Sequence, residues 1–500
     1  MELADRIRAV LSLEPEAGAI EFEGHWSSWA DLAAVAFGVA EHIERSGVGP
    51  GSPIGLLLRN DPALIGAVLG TLLAGGCVVT INPHQGDEPL AAEIRHLAVP
   101  VLIGGADEWI RPGIADAARA TGSAGVAVAI TPAGASSIPG LERPGSGSFR
   151  AALPGIAVEM LTSGTTGPPK RVPLSYKSFE RTIAAAGAHY SSDGTRDDAP
   201  RLRSGVAIVA SPLVHMSGIF RTLLNVTDGR RIALLERFRV ADFVELVRRH
   251  RPKAVSLVPT ALRMVLDDDV DPEDLCSILV VTSGSAALPV EVQEDFETRY
   301  GIAVLPSYGA TEFAGGVAGW TLPLHREWGT TKRGSVGRPQ PGRELRVVDP
   351  ETGAERAPAT TGRLEVRSPG REWIRTTDVA RIDDDGFLWI EGRSDDAIVR
   401  GGFKVFPDEI VDVLRSHEAV LDAGVTGIDD ERLGAVPVAA VELRHGADVT
   451  EADLSVFLRE RLPSYKVPTA LRVVDTLPRT PSMKVSQPGL RELFVPVTDR

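Results

Sequence analysis

Apolar and polar positions alternate between two periods along the first 150 residues, and the change of period marks the elements. Residues 29–46 place apolar side chains at helical spacing, and residues 53–58 make a short apolar run of strand length. Asn60-Asp61-Pro62 is a helix start, a capping side chain followed by proline in the first turn. Gly75-Gly76 stops that helix, and Cys77-Val78-Val79-Thr80-Ile81 follows as a buried strand. A helix over 88–97 and a strand over 101–104 continue the series. Helices alternating with short apolar strands predict a mostly parallel sheet covered by helices. Residues 134–147, rich in Gly, Ser and Pro, read as an exposed connection.

The pattern resumes with an apolar strand over 156–161 and a helix that includes 184–190. Strands over 206–210, 254–258 and 278–282 then alternate with helices over 238–250 and 289–300. From 334 to 391 the runs are short and alternating, as at 345–348 and 364–366, which suggests an antiparallel or barrel-like part. Beyond Gly392 a smaller unit is expected, with helices near 407–415 and 451–462 and strands near 422–426 and 436–442. No internal repeat is visible. The expected class is α/β: a large N-terminal domain over 1–394, of helix-covered sheets plus a barrel-like part, and a small α+β C-terminal domain over 395–500. The boundary falls at Arg393-Ser394-Asp395.

Composition narrows the function classes. Hydrophobic residues at 43% and charged residues at 24% describe a soluble globular protein. A formal charge of −14 argues against broad binding to nucleic acid or anionic membranes, so a polyanionic ligand needs a local positive site. Cys77 and Cys276 are the only cysteines, which excludes a disulfide framework and a Cys-rich metal site and fits a reducing cytoplasm. The acidic start of the chain lacks the apolar region of a signal peptide. Residues 63–81 carry no charge over about the length of a membrane span. The cap before them and the glycine pair within them divide the run into a helix and a strand.

Candidate chemistry collects where strands run into loops, the usual ligand edge of open α/β sheets. After the strand at 156–161 comes Thr162-Ser163-Gly164-Thr165-Thr166-Gly167-Pro168-Pro169-Lys170. Glycines let backbone N–H groups turn toward an anion and hydroxyls add donors, so this loop suits phosphate. A plain linker is the alternative, although linkers seldom end in a fixed lysine. It is not a Walker loop, because Gly164 and Lys170 do not fit that spacing and the prolines oppose an immediate helix. Four more stretches stand out: Pro212 to Gly218; Thr282 to Ala286 with Tyr308 to Glu312 soon after; Arg375 to Asp378 with Gly392 to Asp395; and Pro478 to Lys484.

These five motifs, in this order, resemble those of the adenylate-forming superfamily of acyl- and aryl-CoA synthetases, nonribosomal adenylation domains and firefly luciferase. The resemblance runs from about residue 20 to 495 and is closest to acyl- or aryl-CoA ligases. It implies a small C-terminal domain that moves, with Asp395 as its hinge. It also implies ATP and coenzyme A as co-substrates, Mg²⁺ as cofactor, and a small carboxylic acid as substrate. By resemblance, Thr162 to Gly167 and Lys170 hold the outer phosphates. Thr311 bonds the α-phosphate and Glu312 holds the metal, a hard-oxygen ligand for a hard cation. Gly284, Ser285 and Ala286 form the adenine turn beside Tyr308 and Gly309. Asp378 and Arg393, 15 residues apart across the turn Asp383-Asp384-Asp385-Gly386, take the ribose. That acidic turn is read as a turn, since a calcium loop needs acids at alternate positions and a later Glu. Lys484 matches the catalytic lysine, and the loop with Gly401, Gly402 and Lys404 admits the thiol.

Each of these residues has a plainer reading. Taken singly, Asp378 is a turn residue, His215 a satisfied polar group after a strand, Lys484 solvated surface, Glu312 a helix-start acid and Gly401-Gly402 a tight turn. His215 sorts the family: amino-acid-activating members carry aspartate in that motif, and no acid lies within 211–225 here. His215, Met216, Gly218, Met264, Gly309 and Val317 are the expected acid pocket, mostly small or apolar, which favours an apolar or aryl acid. Three positions depart from the family pattern: Arg171 and Thr377 where glycine is usual, and Met483 before the lysine. The expected reaction is adenylation of the acid followed by thioester formation with coenzyme A. Transfer to a separate carrier protein is the chief alternative. A non-catalytic nucleotide- or acid-binding homologue and an oxidative fate are more distant ones.

Overall fold

The computed structural model describes residues 2–162, 170–189, 199–313, 315–368, 371–394, 397–401, 403–480 and 484–494. The chain divides into two compact units. The first comprises Met1–Ser163, Pro169–Ser285 and Glu291–Glu327, and the second chiefly Trp328–Arg500.

The first unit is built on a seven-stranded sheet in the order Ala135–Ser137, Ala124–Val128, Val101–Gly105, Pro53–Leu57, Cys77–Ile81, Ile156–Thr162, Lys170–Ser175. Its inner strands are parallel and the pair at each edge is antiparallel. Helices Trp29–Arg45 and Pro62–Leu73 cover one face, and Asp87–Leu97 and Ile114–Thr121 the other. Asp61 caps the second helix, its carboxylate accepting from the Ala63 N–H at 2.8 Å, with Pro62 in the first turn. The helix is apolar all round because it is buried all round. A Cβ at Gly70 would come 2.3 Å from the Ala36 carbonyl oxygen, so the glycines let two helices touch backbone to backbone. Among the described residues no helix is long and apolar enough to cross a membrane.

Two further sheets complete this unit. One runs Arg203–Val209, Arg230–Leu234, Gly18–Phe22, His25–Ser28; the other runs Ala254–Ser256, Val280–Ser283, Ala303–Ala310, Gly315–Gly319. The second unit holds an antiparallel four-stranded sheet, Glu344–Val348, Gly362–Arg367, Ile374–Ile382 and Leu388–Arg393. It also holds a sheet centred on the long hairpin Val420–Asp430/Gly434–Leu443, covered by Pro407–Arg415 and Glu451–Arg461.

The architecture is the mixed α/β arrangement expected, a large part of helix-covered sheets plus a small C-terminal part. Most strand and helix assignments fall within a few residues of the expected bounds. The helix expected to include 184–190 spans Tyr176–His189, and Tyr190 lies outside the described residues. The connection at 134–147 is not wholly exposed: Ala135–Ser137 adds an edge strand and Leu141 is buried. Three-residue strands carry too little periodicity to be seen in advance.

Candidate active site

The phosphate-type loop joins two edge strands. Thr162 pairs with Lys170 and Leu161 with Arg171 at the loop end of the hairpin, so strand pairing fixes both ends of the loop. Ser163, Gly164, Thr165, Thr166 and Gly167 lie outside the described residues, as do the side chains of Thr162 and Lys170.

Arg171, one of the departures, turns inward. Its guanidinium donates to Glu93 Oε1 at 2.6 Å and to the Thr80 carbonyl at 3.1 Å, with Glu159 Oε1 at 3.9 Å. Glu159, 3% exposed, also takes a bidentate pair from Arg150 at 2.8 and 2.9 Å. Burial lowers the Arg171 pKa, and Glu93 and Glu159 oppose that pull. The arginine thus ties the returning strand of the hairpin to the helix Asp87–Leu97 and to the strand Cys77–Ile81. Cys77 lies beneath, its thiol pushed up to about 12 by burial and then by Glu159, which keeps it inert.

Three of the residues expected to form the acid pocket, His215, Met216 and Gly218, lie at the start of the helix after the strand Arg203–Val209. His215 occupies the N-cap position of Met216–Thr227, and the turn before it closes through His215 N–H to the Pro212 carbonyl at 3.0 Å. Gly218 makes that turn possible, since a Cβ there would lie 2.1 Å from Pro212 O. The turn is pinned from below by Asn60, 2% exposed. Asn60 Nδ2 donates to the carbonyls of Leu235 at 2.8 Å and Ser211 at 3.3 Å, and Oδ1 accepts from the Leu213 N–H at 2.8 Å. Met216 packs against the main core, Val317 is fully buried, and Met264 is half-buried on the helix Pro259–Asp267.

The nucleotide-type turns lie at the carboxyl ends of neighbouring strands. Ser283 ends one strand, and Gly284 then passes so close to Ser307 that a Cβ would sit 2.8 Å from its Oγ. Ser285 adopts a left-handed φ of 72°, a strained conformation for a residue with a side chain, and it and Ala286 are exposed. Tyr308 and Gly309 lie near the end of the adjacent strand Ala303–Ala310, and Thr311-Glu312-Phe313 form one 3₁₀ turn before Gly315–Gly319 returns antiparallel. A Cβ at Gly309 would meet the Gly315 carbonyl oxygen at 2.5 Å. Glu312 sits in that turn with its side chain outside the described set; its carboxylate is the donor type that Mg²⁺ takes.

In the second unit Asp378 and Arg393 are direct partners across antiparallel strands. Thr377, the second departure, is used: its Oγ1 accepts from Arg393 Nη2 at 2.7 Å and its carbonyl from the Ser394 N–H at 2.7 Å. The Asp383–Gly386 segment is the turn expected, with Asp383 Oδ1 accepting from the N–H groups of Asp385 and Phe387. Lys484 is exposed, yet its ammonium sits among enough protein groups to be partly desolvated. That desolvation, and after it repulsion from Arg393, holds its pKa below the usual lysine value. Its backbone is held by Thr480 N–H donating to Lys484 O at 2.7 Å, and by an antiparallel bridge of Arg479 with Val485. Arg479 is anchored in turn by Asp422 at 2.6 Å, which also takes Arg415 at 2.7 Å. Gly401, with φ 57°, turns the hairpin Ile398–Arg400/Phe403–Val405. That hairpin exposes Val399 and Phe403, the latter stacked on Tyr465 at 4.9 Å between centroids. Asp395, Gly402, Met483 and the Lys404 side chain lie outside the described residues.

The chain belongs to the AMP-binding enzyme family, whose model matches residues 8–371, with the family's C-terminal domain matched over 409–484. It is 29% identical to 4-coumarate–CoA ligase 5 of Oryza sativa subsp. japonica, over 94% of this chain and 89% of that one. It is also 29% identical to the 2-succinylbenzoate–CoA ligase of Geobacillus kaustophilus, over 98% and 97% of the two chains. Among solved structures it superposes on o-succinylbenzoate coenzyme A synthetase from Bacillus subtilis in complex with ATP and magnesium ion, with a TM-score of 0.76. The identity there is 25%, over 97% of this chain and 99% of that one.

Three positioning residues escaped the sequence reading. Asn60 is legible in the sequence only as part of a helix start and Arg479 only as a member of the Pro478 to Lys484 stretch, and Arg221 belongs to no motif. Arg221 left a visible signal: it is the one formally charged residue within 211–225.

Proposed function

We propose that this enzyme is an acid–thiol ligase that converts a carboxylic acid, with ATP, to an acyl-adenylate and pyrophosphate. Coenzyme A then takes the acyl group and AMP is released. The curated relatives named above are acid–CoA ligases, and both their acids are aryl, which supports an aryl substrate. In the first step a carboxylate oxygen attacks the α-phosphorus while the bond to pyrophosphate breaks, so two anions must meet. The residues at 162–170 receive the departing phosphates, Thr311 donates to the α-phosphate, and Asp378 and Arg393 hold the ribose. Gly284, Ser285, Ala286 and Tyr308 border the adenine. Glu312 would hold Mg²⁺, which neutralises phosphate charge when bound. Lys484 bridges the carboxylate and the α-phosphate, and His215 lines the acid's entry.

The observations that support this reading most are the likeness to acid–CoA ligases over nearly the whole chain and, in the structure, the direct pairing of Asp378 with Arg393 across antiparallel strands. In the second step the domain beginning near Asp395 turns, Lys484 withdraws, and the 401–404 hairpin admits the thiol. A cytoplasmic setting is supported by two free cysteines, one of them buried.

The test is acid-dependent pyrophosphate release with a panel of carboxylic acids, followed by comparison of coenzyme A with carrier-protein phosphopantetheine as acceptor. Release with an acid and thioester formation with free coenzyme A is the expected result. Transfer to a carrier alone would replace the second half of the proposal, and absence of release with every acid would overturn it.

A further inference from the structure

The last register pair of the hairpin Ile374–Ile382/Leu388–Arg393, away from its turn, is Asp378 with Arg393, and Thr377 and Ser394 stand one step beyond it. The Thr377 carbonyl accepts from the Ser394 N–H at 2.7 Å and from the Ser394 hydroxyl at 2.9 Å, and Thr377 Oγ1 accepts from Arg393 Nη2 at 2.7 Å. One residue thus fixes both the backbone just after Arg393 and the guanidinium of Arg393. Asp378 is seated by the residue before Thr377. Its N–H donates to Thr376 Oγ1 at 3.1 Å, and that hydroxyl donates to the Leu364 carbonyl at 2.8 Å on the neighbouring strand.

The strand pairing alone does not aim Arg393. The register shifts between Val379 and Ala380, which leaves Glu391 as an extra residue, and Gly392 takes a φ of 138° that a side chain would strain. A bulge of this kind bends its strand and re-aims the side chains beside it. Arginine also loses the freedom of several rotatable bonds when a ligand immobilises it, so an acceptor that fixes it beforehand lowers the cost of binding. The guanidinium is a rigid planar fork, and one bond at Nη2 sets the plane in which all its N–H groups point. Threonine suits that task because branching at Cβ restricts χ1 and with it the direction of the hydroxyl. Glycine, the usual residue at this position, offers neither the acceptor nor the restraint.

We infer that Thr377 is a positioning residue for the nucleotide's ribose: it holds the Arg393 guanidinium in place and thereby sharpens selectivity for nucleotides that carry both ribose hydroxyls. The inference rests on the ligase reading given above, in which Asp378 and Arg393 take the ribose. A hydroxyl is both donor and acceptor. The Asp378 carboxylate accepts its proton and the fixed guanidinium donates to its oxygen, and both bonds are charge-assisted. A nucleotide without ribose hydroxyls gains nothing from the orientation of Arg393, so it is blind to what Thr377 does.

The experiment titrates the full chain calorimetrically with Mg²⁺–ATP and with Mg²⁺–2′,3′-dideoxy-ATP, so that the acid need not be known. The wild type is expected to bind ATP more tightly than its dideoxy counterpart. Thr377→Val keeps the branched shape and removes the hydroxyl, and because Thr377 is exposed the variant should unfold in urea as the wild type does. It should raise Kd for ATP about 3- to 10-fold, the cost of freezing one long side chain, and leave Kd for the dideoxy nucleotide within about two-fold. Thr377→Ser should restore most of the affinity for ATP. Equal weakening of both nucleotides, or an unchanged Kd for ATP, would overturn the inference and leave the ligase reading intact, since the wild type would still prefer ATP. A wild type that binds both nucleotides alike would overturn the ribose assignment and this inference with it. Absence of ATP binding would overturn the ligase reading itself and therefore both.

Discussion

At the scale of single residues, two of the three departures from the family pattern, Arg171 and Thr377, have physical explanations. Arg171, where glycine is usual, is received by Glu93 at 2.6 Å, and Glu159, already paired with Arg150, adds a second carboxylate at 3.9 Å, which offsets the cost of burying the guanidinium. Thr377 is usable before Asp378 because its hydroxyl takes the Arg393 guanidinium. Asn60 is the least conspicuous of the positioning residues. Asn60→Ala leaves the buried Leu213 N–H and two carbonyls without their side-chain partner. The expected result is a loss of about 2–3 kcal/mol of stability in chemical denaturation, with a raised KM for the acid as the His215 turn loosens. Unchanged stability would mean that water replaces the amide in full. Asn60 could be read from the chain only as part of a helix start, because its partners lie more than 150 residues away.

Among elements, the segment carrying Lys484 depends on a charge cluster at the foot of its hairpin. Burial pushes the Asp422 pKa up, but Arg415 and Arg479 outweigh it and hold the carboxylate below its usual range. The sign follows directly: a depressed folded pKa gives stability that is present above about pH 4 and lost as pH falls through the folded value. Asp422→Asn should therefore destabilise this unit by about 3 kcal/mol at neutral pH and flatten its acid-side loss, read by urea denaturation across pH. An unaltered acid limb in the variant would assign the pH dependence to another group. The sequence showed the strands and helices around this cluster by their periodicity. It did not show the cluster itself, since Asp422, Arg415 and Arg479 become neighbours only when a strand, a helix and the chain end meet.

For the whole molecule, the proposal that one lysine serves only the first half-reaction makes a separable prediction. Lys484→Ala should slow adenylation by about 10²–10³-fold, the cost of one well-placed donor to developing charge. Thioester formation from supplied acyl-adenylate should be retained, as measured by single-turnover kinetics. Equal losses in both steps would contradict a lysine that leaves between them. Because desolvation and Arg393 lower its pKa, wild-type adenylation should fall as pH rises through a value below the ordinary lysine range of about 10.4. That alkaline limb should be absent from the residual activity of the variant.

By itself the sequence determined the class of fold, the family and the order of the motifs. Helical and strand periodicities, caps such as Asp61-Pro62 and stops such as Gly75-Gly76 are local, and the motif spacings are written along the chain. Tertiary structure alone decided which polar and charged groups act together. Arg171 with Glu93, Asn60 with the turn before His215, Asp422 with Arg479 and Arg221 with Thr282 are separated by dozens of residues or more. A charged side chain carries no periodicity that reveals its partner, so its role is settled by the electrostatics of the place to which packing brings it.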